Sequence, residues 1–480
     1  MNEPASRQDR PRVVVVGGGI SGLAAAYELR SSRPDLAVTL LEAADRLGGK
    51  VRTEHVAGFT IEGGPDSLVT FKPAALALAR ELGLTAELRP ADESTAGSHV
   101  LGDGRLRPVP AGMNGFMPQR VWPIATTRLL PLRTKLRMAM EYAVPRSHDP
   151  RDETVEAFVT RRLGHGVYRR LIEPMVGAIF AADPARLSIE GTLPHLREAE
   201  RDHGSLVRAV LAQRRATARA GRPGPRGASP ATLVAPAGGM GRLVEELVRR
   251  LDGVPIGLGT RVAAVESVEE GYLLRVVDAA GAASVLTADG VVLAVQAPVA
   301  AGLLERLEPG VAATLRRTPY SSTVTVSLGY RAEDVPTLPK GHGYLVPQRE
   351  GRTARACTWS SVKFPGLRAP AGHVLLRVSL GGPDRDLSGR SDDELVDLAR
   401  EEVAQTLGVR AEPVVARAFA WTGVMPQYAP GHRERVADAE LALGRRPGLA
   451  LAGSAYHGQS VSDCVASGRR AATAVAAALT

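Results

Sequence analysis

The stretch Val13–Leu29, VVVVGGGISGLAAAYEL, joins a β-branched run to a glycine-rich turn and a helix-like segment. The four valines Val13–Val16 predict a buried strand of a parallel sheet. They run into a G-x-G-x-x-G motif at Gly17–Gly22, and Leu23–Leu29 then predicts a helix. Glycines at this spacing allow a tight turn, close approach of the backbone to a pyrophosphate, and close packing of helix on strand. With the free N–H groups of the helix N-terminus, the stretch predicts a dinucleotide site.

The residues after this stretch make the prediction more specific. A second strand-like run, Ala37–Leu41, ends at Glu42, twenty residues after Gly22. An acid at this position accepts hydrogen bonds from an adenosine ribose. A helix-start turn that binds nothing is the alternative.

The segment RLGGKVRT, residues 46–53, follows directly. Its adjacent glycines allow close approach to a second part of a cofactor. Lys50 and Arg52 would supply positive charge to a pyrophosphate or to a substrate carboxylate. The alternative is a basic loop on the surface.

Composition favours a soluble globular protein of two or three lobes. The chain has 480 residues, of which 44% are hydrophobic and 23% charged. Two cysteines, Cys357 and Cys464, argue against a disulfide framework and fit the reducing cytoplasm. The first twelve residues lack an apolar core, so no signal peptide is expected. The most apolar long run, Val285–Leu304, is interrupted by Asp289 and Pro298, which argues against a membrane span.

The net charge of +9 does not require a nucleic-acid partner. No nucleic-acid-binding module accompanies it, and much of the charge lies in an insertion at 206–230 that contains no acidic residue. Its glycine, proline and arginine content predicts a flexible surface loop, with peripheral membrane contact as the alternative. Its arginines are Arg208, Arg214, Arg215, Arg219, Arg222 and Arg226.

The pattern along the chain predicts an α/β protein in three parts. Residues 1–95, 231–300 and 436–480 form a discontinuous Rossmann-type nucleotide-binding domain, because strand-like runs occur in each. Residues 96–230 form a helical lobe that includes the insertion. Residues 301–435, where strand-like runs alternate around one helix, Asp392–Leu407, form a mixed-sheet substrate-binding domain.

The motifs, taken together, resemble a known family. GGGISG, Glu42 and RLGGK are similar to the FAD-dependent amine oxidase and desaturase superfamily. EGGPDS, which ends at Ser67, and the following Lys72 resemble the protoporphyrinogen and coproporphyrinogen oxidases. The resemblance runs from about residue 12 to about residue 475, and only the insertion at 206–230 has no counterpart. Its further segments are residues 155–188, 235–243, 425–435 and 451–472.

The resemblance implies FAD-dependent oxidation of a porphyrinogen by O₂ in haem biosynthesis, with H₂O₂ as by-product. Water-soluble bacterial members act on coproporphyrinogen III, whereas membrane-bound members act on protoporphyrinogen IX. The missing membrane segment and the similarity to Gram-positive members therefore favour coproporphyrinogen III, whose four propionates suit arginine side chains. Protoporphyrinogen IX oxidation is the first alternative. An amine oxidase or desaturase, and a flavin-free binding protein on the same scaffold, are the others.

The resemblance also implies the residues that hold FAD, and no metal site. In chain order these residues are Gly17, Gly18, Gly19, Ile20, Ser21 and Gly22 at the phosphates, Glu42 and Ala43 at the ribose, Gly49 and Lys50 beyond it, Gly64, Pro65, Asp66 and Ser67 along the flavin, Val262 at the adenine, and Trp421, Val461, Ser462 and Asp463 beside the isoalloxazine.

Several of these residues have a simpler interpretation. Val262 and Trp421 would equally serve as core residues, and Asp463 or Ser462 as a helix N-cap. Lys72 is the candidate on the substrate side, with an exposed helix-start lysine as the alternative. Of the remaining reactive residues, we expect a solvent-facing loop position for His457 and a buried thiol for Cys464.

Overall fold

The computed structural model describes residues 10–114, 117–118, 121–219 and 233–479. The strands in these ranges follow in chain order: β1 (Arg12–Val16), β2 (Ala37–Leu41), β3 (Thr53–Val56), β4 (Phe59–Glu62), β5 (Leu68–Val69), β6 (Leu88–Pro90), β7 (His99–Gly102), β8 (Arg105–Pro108), β9 (Met113–Asn114), β10 (Met117–Pro118), β11 (Leu233–Pro236), β12 (Ile256–Gly257), β13 (Arg261–Ser267), β14 (Tyr272–Val277), β15 (Ala283–Ala288), β16 (Gly290–Leu293), β17 (Tyr320–Arg331), β18 (Gly343–Leu345), β19 (Ala354–Trp359), β20 (His373–Leu380), β21 (Val415–Pro426) and β22 (Leu449–Leu451).

The α-helices of the same ranges are α1 (Ile20–Ser32), α2 (Pro73–Glu81), α3 (Val121–Thr126), α4 (Leu132–Ala139), α5 (Val155–Leu163), α6 (His165–Val167), α7 (Glu173–Phe180), α8 (Ile189–Thr192), α9 (Pro194–His203), α10 (Leu206–Arg219), α11 (Gly241–Arg250), α12 (Ala297–Leu304), α13 (Pro309–Arg316), α14 (Ser360–Lys363), α15 (Asp392–Leu407), α16 (His432–Leu443) and α17 (Val461–Ala477).

A five-stranded parallel sheet forms the nucleotide-binding domain. Its strand order is β12-β2-β1-β16-β22, so the sheet draws strands from the start, the middle and the end of the chain. The predicted fold class, an α/β protein with a discontinuous Rossmann-type domain, is confirmed. The domain boundaries themselves stay a prediction.

Both faces of this sheet are covered, which explains the run of valines in β1. Val13 and Val15 pack with residues of α1, α11 and α17 on one face. Val14 and Val16 pack on the other face with α12, α13 and the antiparallel sheet β13-β14-β15. Alternate residues of a strand point to opposite faces, so a strand covered on both sides is apolar throughout.

A seven-stranded mixed sheet, in the order β21-β17-β20-β19-β18-β7-β8, forms the predicted substrate-binding domain with α15 against it. The pair β7 and β18 is parallel, with His99 opposite Tyr344, and the other neighbours are antiparallel. The strands β7 and β8, which the predicted boundary at residue 96 places with the helical lobe, join this sheet through β18. An isolated two-stranded hairpin is marginally stable, and pairing with β18 extends it into a sheet.

The helical lobe contains α3 to α10 around a core that includes Phe158, Leu171 and Leu196. The prediction of a flexible loop from residue 206 is wrong for residues 206–219, which form α10. Leu206 and Ala209 are buried one helical turn apart, and the remaining residues are mostly good helix formers. Residues 220–232, with Arg222 and Arg226, lie outside the described residues. None of the described helices has the length and apolar character that crossing a membrane requires.

The chain leaves and re-enters the core of the molecule at adjacent points. In the three-stranded sheet β5-β11-β6, Val234 lies opposite Pro90, and Ala91 N donates a hydrogen bond to Leu233 O at 3.0 Å. The whole segment between β6 and β11, which includes the helical lobe, therefore begins and ends side by side.

Candidate cofactor-binding and active site

The glycine-rich loop that joins β1 to α1 has the geometry of a phosphate-binding turn. Gly17 has a φ of +106°, and a Cβ added there would lie 2.5 Å from Ala294 O. A Cβ on Gly22 would overlap Gly17 O, so this glycine allows α1 to pack against the loop. Gly19, in contrast, has no atom within 4 Å of the place where a Cβ would lie. The space beside Gly19 is therefore open to a ligand.

The first turn of α1 leaves backbone donors beside this space. Gly19 is the N-cap residue and no side chain caps the helix; Ile20 and Ser21 follow it and are buried. Because the first N–H groups of a helix have no intrahelical acceptor, they are available to an anion. The turn suits a phosphate group.

Glu42 lies at the carboxyl end of β2, against the same loop. Its Oε2 accepts a hydrogen bond from Gly18 N at 2.6 Å, and its Oε1 accepts one from Ala44 N at 2.8 Å. Ala43, between them, is exposed. These two bonds fix the carboxylate beside the phosphate turn and leave further lone pairs for a hydroxyl donor.

The strand that carries Val262 approaches Glu42 through the residues before it. Thr260 N donates to Glu42 O at 2.8 Å, and Gly259 N donates to Ala44 O at 2.9 Å. The Val262 side chain itself is buried in the core beside the sheet. The predicted adenine contact is one of the Val262 backbone, which pairs with Val276 in the sheet, and it stays a prediction.

The ammonium of Lys50 is hydrogen-bonded to distant segments of the chain. Its Nζ donates to Val424 O at 2.7 Å and to Ser454 Oγ at 3.1 Å, and burial lowers the pKa of the ammonium. Arg52 is likewise paired, with Glu54 Oε1 at 2.6 Å. Lys50 thus joins three segments of the chain to one another.

Two glycines beside Lys50 bring neighbouring loops into contact. A Cβ on Gly49 would lie 3.1 Å from Gly19 Cα, so the loop packs on the phosphate turn. A Cβ on Gly64 would overlap Lys50 O, so the next loop packs on this one.

The loop from Gly63 to Ser67 is held from the substrate-binding domain. Trp421 Nε1 donates to Gly63 O at 2.8 Å, and Arg377 donates to Gly64 O. The Trp421 ring also packs against an apolar cluster that includes Phe419. Trp421 therefore combines the predicted site position with a packing role.

Asp66 is the centre of a buried charge cluster in this loop, next to the half-buried Pro65. Lys363 Nζ lies 2.9 Å from Asp66 Oδ2, Ser67 Oγ donates to Oδ1 at 2.7 Å, and Arg377 Nη1 lies 4.0 Å away. Burial alone would raise the pKa of Asp66, but the ammonium of Lys363 and the guanidinium of Arg377 hold it well below its usual range.

The N-terminus of α17 forms the far end of the site. Ser460, and not the predicted Ser462 or Asp463, is the N-cap: Asp463 N donates to Ser460 Oγ at 3.2 Å, and Ser460 N donates to Asp463 Oδ2 at 3.1 Å. This capping box leaves the N–H groups of Val461 and Ser462 at the first two helical positions without a capping acceptor.

Lys72 lies against this helix end. Its Nζ forms an ion pair with Asp463 Oδ2 at 2.6 Å, while its side chain remains 39% exposed. Ser462 Oγ donates to Lys72 O at 2.9 Å. The structure therefore brings the substrate-side candidate next to the residues predicted beside the isoalloxazine. His457 is exposed and pairs with Glu440, and Cys464 is a buried thiol.

Sequence reasoning missed Lys363, Arg377 and Ser460. Arg377 carried a signal, since it interrupts an otherwise apolar strand, HVLLRVSL at residues 373–380. Ser460 carried a weaker one, a serine three residues before an acid. Lys363 carried none, because its partner is 297 residues away.

The residues form a continuous track with distinct chemistry at each end. One end offers open space and helix N–H groups beside a fixed carboxylate; the other offers Trp421, a charged loop and a second helix N-terminus. Such a track fits a long dinucleotide such as FAD, whose ribose, pyrophosphate and flavin need these groups in this order. The individual site residues stay a prediction.

Comparisons with known proteins agree with this geometry. A model of the family described as flavin-containing amine oxidoreductases matches residues 20–476. A coproporphyrinogen III oxidase from Propionibacterium freudenreichii is 38% identical, with 96% of this chain and 90% of that protein covered. A coproporphyrinogen III oxidase from Bacillus subtilis is 31% identical, with 96% and 97% covered.

Solved structures share the fold. A crystal structure from Exiguobacterium assigned to the protoporphyrinogen oxidases has a TM-score of 0.83 at 30% identity and covers 98% of this chain and 99% of that one. A cyclohexylamine oxidase from Brevibacterium oxydans has a TM-score of 0.68 at 20% identity over 98% and 99%, which shows likeness of fold alone.

Proposed function

Because the chain belongs to the flavin-containing amine oxidoreductase family, as an FAD-dependent oxidoreductase, we propose that it oxidises coproporphyrinogen III to coproporphyrin III in haem biosynthesis. The reaction removes six electrons and six protons from the macrocycle and reduces three O₂ to three H₂O₂. The proposal is supported by one observation above all: relatives named coproporphyrinogen III oxidase match this chain over nearly its whole length and theirs.

FAD supplies the two-electron redox chemistry and the route of electrons to O₂ when it is bound. The protein itself would therefore hold the cofactor, orient the substrate beside it and shield both from side reactions. The open space at Gly19 and the uncapped first turn of α1 would receive the pyrophosphate, and Glu42 would accept from the ribose. Each of these groups is already fixed by the contacts described above.

The other end of the track would hold the flavin ring. The Asp66–Lys363 ion pair and the hydrogen bond from Trp421 to Gly63 hold the loop from Gly63 to Ser67 in place. This side of the flavin site would therefore be formed before the ring binds. The free N–H groups of Val461 and Ser462, together with the dipole of α17, favour negative charge in the group bound beside them. A reduced flavin carries more negative charge than an oxidised one, so this helix end would favour the reduced form.

Lys72 would contact the substrate side. Its ammonium is fixed by Asp463 at the helix end, yet its side chain remains 39% exposed, so it can approach an acidic arm of the substrate. The role is one of orientation.

Aerobic turnover of both porphyrinogens by the FAD-loaded protein, followed by porphyrin fluorescence, tests the proposal. We expect coproporphyrinogen III to give the higher kcat/KM. Preference for protoporphyrinogen IX would support the second candidate function, oxidation of protoporphyrinogen IX. The observation in favour of that function is the 31% identity of this chain to a chloroplast protoporphyrinogen oxidase of Arabidopsis thaliana. Turnover of neither would contradict both.

A further inference from the structure

A cavity of about 430 Å³ lies in the helical lobe, apart from the track described above and without a residue in common with it. It is open to solvent on one side and is lined by α4, by the turn between α5 and α6, by the π-helical turn Tyr168–Ile172, and by Arg349. No carboxylate is among its described lining residues. Its basic lining residues are Arg133, Arg137, His165, Arg169, Arg170 and Arg349.

Two glycines build the wall of this cavity. Gly164 has a φ of +94°, and a Cβ there would lie 2.6 Å from Arg137 Cγ. A Cβ on Gly166 would overlap Thr134 Oγ1. These glycines let the turn approach α4 closely. The close approach sets Arg137 against the end of α5, where it donates to Arg161 O at 2.7 Å.

In the part of the chain that the structure describes, the other arginines of the cavity lack hydrogen bonds like those of Arg137. Within the described residues, Arg133, Arg169 and Arg170 have no ion pair and no side-chain hydrogen bond. Arg349 Nε lies 3.4 Å from Glu350 Oε1 and forms an ion pair with it. Neither this Nε nor Nη2, which are both buried, makes a hydrogen bond to a described residue. Burial, and after it the positive charge of Arg349, lowers the pKa of Arg170. Glu350 and Asp103 offset part of this positive charge, and a bound anion would relieve the remaining repulsion between the arginines.

We infer that this cavity binds an oxyanion that carries two or more negative charges. Guanidinium groups match the planar carboxylate and the phosphate in paired hydrogen bonds, and five arginines line one cavity here. The same chemistry has two sources: the carboxylates of a tetrapyrrole held at a second position, or a free small oxyanion. The inference does not depend on the proposed function.

Isothermal titration of the full-length, FAD-loaded protein with pyrophosphate and with citrate tests the inference. The variant is Arg133→Ala/Arg169→Ala, since both residues are exposed and without partners and their loss should not unfold the lobe. We expect one anion to bind per chain of the unmodified protein. In the variant, the dissociation constant should rise about tenfold or more. Unchanged flavin absorbance and circular dichroism would confirm that the variant is folded.

Arg410→Ala/Arg445→Ala is the matched control. These two arginines are also exposed, and no ion pair or side-chain hydrogen bond involves them in the described part of the chain. The control removes the same charge away from the cavity, and we expect a change of less than about twofold. Equal weakening in both variants, or no saturable binding of either anion, would overturn the inference.

Fluorescence titration with coproporphyrin III separates the two sources. If a second porphyrin equivalent binds to the unmodified protein and is lost in Arg133→Ala/Arg169→Ala, the site takes the carboxylates of a tetrapyrrole. If porphyrin stoichiometry is the same in both while pyrophosphate or citrate binding is weakened, the site takes a free oxyanion. Both results support an oxyanion site.

Discussion

At the scale of single residues, the glycines of the phosphate turn divide into those that serve the fold and one that serves the ligand. Gly22→Ala places a methyl group on the carbonyl oxygen of Gly17, and we expect it to cost about 1–3 kcal/mol of stability even without FAD. Gly19→Ala meets no protein atom, and its extended backbone suits alanine, so the apoprotein should melt as before.

Gly19→Ala should nevertheless weaken FAD binding at least about tenfold, because the methyl group fills the space left for the phosphates. Thermal melting of the apoproteins and flavin titration distinguish the two glycines. Full FAD affinity in Gly19→Ala would show that the cofactor does not approach this residue.

Glu173 makes stability depend on pH. It begins α7, is buried, and accepts two 3.3 Å bonds from Gln348 N; burial raises its pKa from 4.5 to about 7. A raised pKa in the folded state means that the folded protein retains a proton that the unfolded chain releases. Its stabilising contribution is therefore complete below pH 4.5 and is lost as pH rises towards 7.

Glu173→Gln removes this dependence. We compare the free energy of unfolding of the variant with that of the unmodified protein. This difference should change in favour of the variant by about 2–3 kcal/mol from the acidic to the alkaline side of the window. Urea unfolding at a series of pH values measures it. A pH-independent difference between the two proteins would contradict the assignment.

The side-chain partners at this scale are also where sequence reasoning reached its limit. Glu42 was predictable, because its position follows from the length of one β-α-β unit. Lys50 was expected to supply charge to a pyrophosphate or a substrate carboxylate, and its protein partners, Val424 and Ser454, which come from the other end of the chain, were not predictable. Long-range pairs such as Asp66–Lys363 leave no periodic trace in the sequence.

At the scale of elements, local pattern predicted much more. The strand Ala37–Leu41 and the helix Asp392–Leu407 have the predicted bounds, because alternation, caps and glycines mark their ends. The exception is α10, where several arginines and the glycines and prolines that follow suggested a loop. Burial of Leu206 and Ala209 decided the outcome, and that depends on packing against the lobe.

The capping box of α17 has a matched counterpart. Ser460→Ala and Ser391→Ala each remove an N-cap serine from a capping box, at α17 and at α15. Both should cost about 1 kcal/mol of stability. Only Ser460→Ala should also weaken FAD binding and shift the flavin absorbance, since α17 begins at the track and α15 does not. Equal flavin properties in both variants would place the cofactor away from α17.

At the scale of the whole molecule, the parallel sheet needs both ends of the chain. β22 completes the sheet beside β16, and α17 buries Val465, Ala472 and Val475 against it. Deletion of residues 445–480 should therefore abolish cooperative unfolding and FAD binding together, and not leave a smaller folded domain. Circular dichroism melting and flavin absorbance measure this. A truncated chain that still binds FAD would contradict it.

The adjacency of Pro90 and Leu233 has a consequence for protein engineering. Because the segment between β6 and β11 begins and ends at neighbouring points of one small sheet, it can be exchanged as a cassette between relatives of this fold. β7 and β8 would travel with it, so the recipient must offer the edge of β18. Such a chimaera would transfer every lining residue of the arginine-lined cavity except Arg349 to another flavoprotein.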